Sequence, residues 1–132
     1  MDSRRNNSKK RAAILNALSA TKAHPSAEML HAALRRDDPE LGIATVYRNL
    51  AILQEDGYIQ SVGKVNGQER YDADLHPHGH FVCIRCGAVM DLEFSGDEAV
   101  SQFGKLLPSG SRIDRMELRI SGTCPGCTSL KS

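Results

Sequence analysis

The sequence predicts an α+β chain in two parts: a winged helix-turn-helix, then an α/β domain that holds a four-cysteine zinc site. Three observations carry that expectation. Three amphipathic helical stretches precede an Asn-Gly hairpin signal; a polar stretch with a proline, Asp72-Ala73-Asp74-Leu75-His76-Pro77, interrupts the pattern; and two Cys-x-x-Cys pairs, Cys83/Cys86 and Cys124/Cys127, frame the second part. A chain of 132 residues has room for two small domains, since domains can be as short as ~50 residues. With 40% hydrophobic and 25% charged residues, intrinsic disorder is excluded for most of the chain.

In order along the chain, Ser8 is placed to cap a first helix, because Ile14, Leu15 and Leu18 recur behind it at helical spacing. That helix is expected to end between Ser19 and Lys22. Ser26 caps a second, with Glu28 in its electropositive first turn and Leu30, Ala33 and Leu34 as the buried stripe. A third begins near Gly42 or Ile43, turns Val46, Leu50 and Leu53 inward, and closes at Gly57, which tolerates the left-handed conformation. Two extended segments, Tyr58 to Val62 and Gln68 to Asp72, flank Lys64-Val65-Asn66-Gly67 and make the wing. Beyond the interruption come strands at His80 to Ile84 and Val89 to Phe94, a helix near Asp97 to Leu107, and a long strand at Arg112 to Ser121, half-buried from Met116 onward.

No apolar run approaches the ~18 residues that would cross a bilayer, and the basic start lacks a signal-type apolar core. A cytoplasmic location without membrane association is the expectation. In that compartment thiols stay reduced, so paired Cys-x-x-Cys motifs favour metal over disulfides. The net charge of +1 conceals an asymmetry: residues 1–72 carry 11 Lys/Arg against 9 Asp/Glu, and residues 73–132 carry 6 against 7. Arg4, Arg5, Lys9, Lys10 and Arg11 form a basic arm able to neutralise phosphates; a frayed, solvated terminus is the plainer alternative.

Two residues between cysteines let both thiolates converge on one ion, and Gly87 and Pro125 suit such knuckles. Cys83, Cys86, Cys124 and Cys127 together make a closed tetrahedral set of the kind that holds structural zinc. The rival is a thiol-redox protein, which needs a Cys-x-x-Cys at a helix N-terminus, a context the strand and helix pattern does not predict here. His78 and His80 alternate across Gly79 and would face the same way on a strand, a ligand geometry; exposed linker histidines are the alternative. Asp72, at the end of the wing, and Asp91, on the second strand, read by spacing alone as solvated carboxylates, and His31 as a surface or packed residue. The third helix presents Ala44, Tyr47, Arg48, Ala51 and Gln54 outward. A recognition helix so equipped enters the major groove of double-stranded DNA, Arg48 pairing with guanine and Tyr47 touching a thymine methyl or a phosphate. A partner-binding helix or zinc-stapled interaction module is the competing reading.

The run His24-Pro25-Ser26-Ala27-Glu28, the segment Ala44 to Leu50 (ATVYRNL), Arg70-Tyr71-Asp72, His78-Gly79-His80-Phe81-Val82-Cys83-x-x-Cys86-Gly87 and Cys124-x-x-Cys127 together resemble the ferric uptake regulator family. The resemblance covers nearly the whole chain and within the family is strongest to the PerR-type peroxide sensors. It implies a winged-helix DNA-binding domain at 1–72, a hinge at 73–79 and a dimerisation and metal-binding domain at 80–132. It implies a regulator and not an enzyme: a homodimer on palindromic operator DNA.

The resemblance also implies a regulatory site for Fe(II) or Mn(II), with a histidine from the second helix, a carboxylate at the end of the wing, two histidines before the first Cys-x-x-Cys and a carboxylate after it. Matched in order, these are His24, Asp72, His78, His80 and Asp91. Both carboxylates are aspartates, as in peroxide sensors, where Fe(II)-catalysed oxidation of a ligand histidine, by correspondence His24 or His78, releases the DNA. An iron- or zinc-responsive uptake repressor is the alternative within the family. The chain departs from the family in lacking its usual N-terminal extension, with Asn7-Ser8-Lys9-Lys10-Arg11 in its place, and in carrying the extra His76. An ion drawing on both domains would fix their orientation and so set the two recognition helices of a dimer ~34–36 Å apart.

Overall fold

The computed structural model describes residues 3–75, 79–114 and 116–129, with side chains described from residue 7 onward. His76 and His78 lie outside the described residues, as do the side chains of Arg4 and Arg5. The chain divides into two compact units, Met1–Leu75 and His76–Ser132.

The first unit is three helices and a hairpin. Helix α1 spans Ser3–Ser19, α2 Ala27–Leu34 and α3 Ile43–Glu55. Helix α1 starts five residues ahead of the expected cap, so Ser8 lies within it. Arg4, Arg5, Lys9, Lys10 and Arg11 are good helix formers and no Gly or Pro interrupts them, so nothing local stops the helix at Ser8. Ile14 and Leu18, one turn apart, are its buried contacts. Ser26 caps α2: its hydroxyl accepts from the Met29 N–H at 3.2 Å, and the Met29 thioether accepts from the Ser26 N–H at 3.4 Å. Ala27 and Leu30 form the buried stripe, with Leu34 partly buried; Ala33, expected inside, is exposed.

Helix α3 buries Val46, Leu50 and Leu53 as the periodicity requires, together with Asn49. Asn49 lies inside because its polar groups are satisfied there: Oδ1 accepts from Arg11 Nε at 3.0 Å and Nδ2 donates to the Thr45 carbonyl at 3.0 Å. With Leu41, Ile59 and Tyr71 these side chains complete one core, in which truncating a residue such as Leu50 to Ala costs about 2–5 kcal/mol.

Strands β1 (Gln60–Val65) and β2 (Gln68–Asp72) pair antiparallel around Asn66-Gly67. Both turn residues have positive φ, 53° and 81°, the requirement of the two-residue turn that follows strand twist. Lys64 and Val65, expected in the turn, therefore belong to β1, and a bulge between Ser61 and Gly63 absorbs the register shift.

The second unit is a three-stranded sheet in the order β4-β3-β5, with β3 at Gly79–Cys83, β4 at Val89–Leu92 and β5 at Arg119–Gly122. Strand β3 runs antiparallel to β4 and parallel to β5. Val82, Cys83 and Val89 are its buried centre. Helix α4 spans Gly96–Phe103, capped by the Ser95 hydroxyl on the Glu98 N–H at 3.0 Å, and continues as a 3-10 turn over Gly104–Leu106.

The long strand expected from Arg112 is confined to Arg119–Gly122, where β3 offers ladder partners, and its Ile120 is exposed rather than half-buried. Just before the strand, the Leu118 carbonyl accepts from the His80 N–H at 3.0 Å, without strand pairing of its own. A short helix α5, Pro125–Ser129, follows.

Candidate metal centre

The first Cys-x-x-Cys forms as strand β3 ends. The Cys83 N–H donates to the Ala88 carbonyl and the Gly87 N–H to the Cys83 carbonyl, both at 2.9 Å, and Gly87 takes φ 76° to close the knuckle. Strand β5 is hydrogen-bonded alongside β3, so its end brings Cys124 to the same place. One Sγ from each of Cys83, Cys86, Cys124 and Cys127 lies within 4.8 Å of all the others. The Cys86 and Cys124 sulfurs are 3.8 Å apart. Tetrahedral zinc with Zn–S of ~2.3 Å places its sulfurs about 3.8 Å from one another, so the four-sulfur cluster suits that ion.

Electrostatics point the same way. The N–H groups of Cys86 and Cys124 converge on Cys83 Sγ, at 3.5 and 3.3 Å, and lower its pKa from 9.0 to about 6. The thiols of Cys124 and Cys83 beside Cys127 raise its pKa to about 12. Four sulfurs this close cannot all ionise without a cation among them.

The second Cys-x-x-Cys does lie at the start of a helix, contrary to the sequence expectation. Cys124 sits between strand β5 and helix α5, with the Thr128 N–H on its carbonyl at 2.8 Å, so a strand-to-helix context does exist. Convergence of all four sulfurs, rather than its absence, is what favours metal.

Among the described residues, each unit also holds a histidine–aspartate pair. In the first, His24 Nδ1 stands 3.4 Å from Asp72 Oδ2, with the side chains 2% and 5% exposed. In the second, His80 and Asp91 are directly opposed residues of β3 and β4, with His80 Nε2 3.6 Å from Asp91 Oδ1. Donors sharing one ion at ~2.1 Å and a right angle stand about 3 Å apart, so both pairs suit ligation. Imidazole with carboxylate accepts Fe(II), Mn(II) or Zn(II). His78, expected as the fifth ligand, lies outside the described residues.

His24 is not on α2, as the resemblance had implied, but in the loop before it, with φ 51°. Pro25 discourages an α conformation for its predecessor, and the left-handed region costs a residue with a Cβ about 1–2 kcal/mol. The loop is tied to β2. Ser26 bridges to Arg70, the Tyr71 N–H donates to the Pro25 carbonyl at 3.0 Å, and the Arg70 guanidinium donates to the carbonyls of His24 and, at 2.8 Å, Ala23. Burial lowers the Arg70 pKa. Two residues on, the Asp74 N–H holds Asp72 Oδ1 at 2.8 Å, leaving Oδ2 facing His24. Arg70 was noted in the sequence only as part of a motif; its alternation with Asp72 on one strand was the available signal.

On α3, Tyr47 and Arg48 are both exposed; the Tyr47 hydroxyl donates to Glu28, and Arg48 Nη2 to Thr45 Oγ1 at 3.3 Å. Of the basic arm, Lys9 is exposed, Lys10 Nζ is 3.7 Å from Asp38, and Arg11 Nε is engaged by Asn49. His31 is a packed residue, its Nε2 2.8 Å from the Leu41 carbonyl.

The profile of the ferric uptake regulator family matches residues 4–118. The chain belongs to the ferric uptake regulator family. The peroxide operon regulator of Bacillus subtilis (strain 168) is 31% identical over 118 residues, 89% of this chain and 81% of that protein. The fold is that of the Helicobacter pylori ferric uptake regulator, with a TM-score of 0.82 at 22% identity over 94% of this chain and 83% of that one. The Campylobacter jejuni peroxide stress regulator superposes with a TM-score of 0.74 at 26% identity, covering 92% of this chain and 91% of its own.

As a member of the ferric uptake regulator family the chain is a metal-responsive regulator with a mixed helix and sheet fold and a four-cysteine zinc site. Zinc on the cysteines and iron or manganese on nitrogen and oxygen donors are the cofactors that these ligand sets fit. Among the described residues no helix is long and apolar enough to cross a membrane.

Proposed function

We propose that this protein is a cytoplasmic, homodimeric DNA-binding repressor, and not an enzyme, whose hold on palindromic operator DNA depends on Fe(II) or Mn(II) and is released by hydrogen peroxide. The observation that carries the reading is the buried His24–Asp72 pair, in which the carboxylate is an aspartate, as in the peroxide sensors. The relationship to the Bacillus subtilis peroxide operon regulator supports it.

Family correspondence assigns His24, Asp72, His78, His80 and Asp91 to one ion. His24 and Asp72 belong to the unit that carries the winged helix, His80 and Asp91 to the unit that carries the cysteines. An ion that needs ligands from both couples its own binding to the geometry of the reading heads, a linkage that works in both directions. The donors assigned to this ion are nitrogen and oxygen, so the proposed target of oxidation is an imidazole. Bound ferrous iron supplies the one-electron chemistry by which peroxide oxidises a neighbouring imidazole. An oxidised ring at His24 or His78 donates poorly, and the grip on the ion is lost. Tyr47 and Arg48 on the exposed face of α3 contact base edges or phosphates, and Lys9 adds a phosphate contact.

The test is binding to the chain's own promoter DNA, with zinc kept on the cysteines. Mn(II) is expected to switch binding on and a chelator to switch it off. Aerobic exposure of the Fe(II) form is expected to add one oxygen to the peptide holding His24 or His78 and to abolish binding, while the Mn(II) form survives. Oxygen added at cysteine would contradict the histidine assignment and favour thiol-redox chemistry; an Fe(II) form indifferent to peroxide would favour an iron- or zinc-responsive uptake repressor.

A further inference from the structure

We propose that Arg70 is a positioning residue for the metal ligand His24, setting the site's affinity without touching the ion. The inference rests on the reading of His24 and Asp72 as ligands. Its basis lies within the first unit. The loop before α2 is held against β2 by an isolated bridge: Ser26 pairs with Arg70, and the Tyr71 N–H reaches the Pro25 carbonyl. Within this loop His24 takes φ 51°, a conformation disfavoured for a residue with a Cβ. The Arg70 guanidinium constrains it directly. It is 6% exposed and donates to two successive carbonyls, those of Ala23 and His24, on either side of the His24 peptide N–H.

A planar fork gripping consecutive carbonyls fixes the peptide planes on both sides of the His24 Cα, and so the direction of its side chain. Strand alternation puts Arg70 and Asp72 on the same face of β2. One strand thus carries the carboxylate ligand and, two residues earlier, the group that aims the imidazole at it. Ligand orientation set by such outer partners is typically worth 10–100-fold in metal affinity.

The experiment measures Mn(II) affinity by chelator competition, and the visible absorption of Co(II) in the same site, on zinc-loaded full-length protein. Arg70→Gln, Arg70→Lys, His24→Ala and the double variant His24→Ala/Arg70→Gln are compared. Arg70→Gln is expected to weaken Mn(II) binding about 10–100-fold and to shift the Co(II) ligand-field bands, with zinc content unchanged. Arg70→Lys, which can reach one carbonyl but not both in fixed register, falls between it and the parent.

In the His24→Ala background Arg70→Gln is expected to add nothing, because the ligand it aims is gone. Unchanged Mn(II) affinity in Arg70→Gln, or an equal loss with and without His24, overturns the proposal and leaves Arg70 a fold residue only. Should Arg70→Gln fail to fold, Arg70→Lys decides by the same two comparisons. If His24→Ala itself binds Mn(II) like the parent, the ligand assignment falls first. If His24→Ala weakens binding and neither Arg70 variant does, only the positioning role falls.

Discussion

The cysteine cluster and the histidine–aspartate pairs solve the problem of gripping a metal in opposite ways. Each half of the cysteine site is made by one turn, and the β3/β5 ladder needs only to bring two preformed knuckles together. The His24–Asp72 pair is assembled by tertiary structure: a strained loop residue held by a strand that forms after the whole helical bundle in sequence. Soft thiolates in a closed tetrahedron suit a permanent ion, whereas imidazole and carboxylate suit one that exchanges. The difference teaches that permanence follows from local, covalently short ligand spacing, and responsiveness from ligands whose alignment depends on the rest of the fold.

The sharpest way to break that contrast is to remove one ligand of each kind. Cys83→Ser deletes the most buried sulfur of the cluster. Structural zinc in small domains contributes on the order of 10 kcal/mol to folding, comparable to the whole stability of a domain. The variant is expected to lose zinc and the cooperative unfolding of the second unit, read by a zinc-sensitive dye and circular dichroism. Asp91→Asn, by contrast, is expected to keep zinc and its melting transition while weakening Mn(II) at least about tenfold. A Cys83→Ser protein that melts like the parent, or an Asp91→Asn protein that sheds zinc, would erase the distinction.

Acidification gives the next largest effect. Cys83 is held down from 9.0 to about 6 by the N–H groups of Cys86 and Cys124. A depressed thiol pKa means that its stabilising contribution is complete above pH 9.0 and is lost as pH falls through about 6. Cys127 acts in the other sense: its pKa, raised to about 12, makes ionisation without metal unfavourable above pH 9.0. With zinc compensating the thiolate charges, release of the metal and loss of the second unit's secondary structure are expected together, at or below pH about 6. Dye-detected zinc release that is already complete at neutral pH would overturn this account.

The fold was legible wherever a local rule decided it. Asn66-Gly67 marked the place of the hairpin turn, though not that Lys64 and Val65 belong to β1; Val46, Leu50 and Leu53 could only face inward together, and Cys-x-x-Cys twice over could converge on one ion. The sequence failed where the deciding partner lay elsewhere in the chain. Alternation from Arg112 onward describes a strand but cannot say that the ladder with β3 begins at Arg119. A polar Asn49 reads as surface until Arg11 is found to satisfy it. Correspondence singled out His24, yet its placement in the loop before α2, and the Arg70 hydrogen bond to its carbonyl, are tertiary facts. The start of α1 was misread because Ser8 is as good a cap as a helix-interior residue, and only the flanking helix formers separate the two.

The smallest effect tests how far the responsive pair depends on remote structure. Gly67 has φ 81° with open space around the position of a Cβ, so Gly67→Ala strains the turn without a clash. A residue with a Cβ in that region costs about 1 kcal/mol. The turn sets the register that delivers Arg70 and Asp72, three and five residues along β2, to the His24 loop. Gly67→Ala is therefore expected to lower the first unit's unfolding free energy by about 1 kcal/mol and to weaken Mn(II) by less than about tenfold, with zinc and the second unit's melting unchanged. Chemical denaturation followed by Tyr fluorescence, with parallel metal titration, reads both. If the register slipped instead, every β2 side chain would change face, Mn(II) binding would fail outright, and the turn would have to be counted as part of the responsive site.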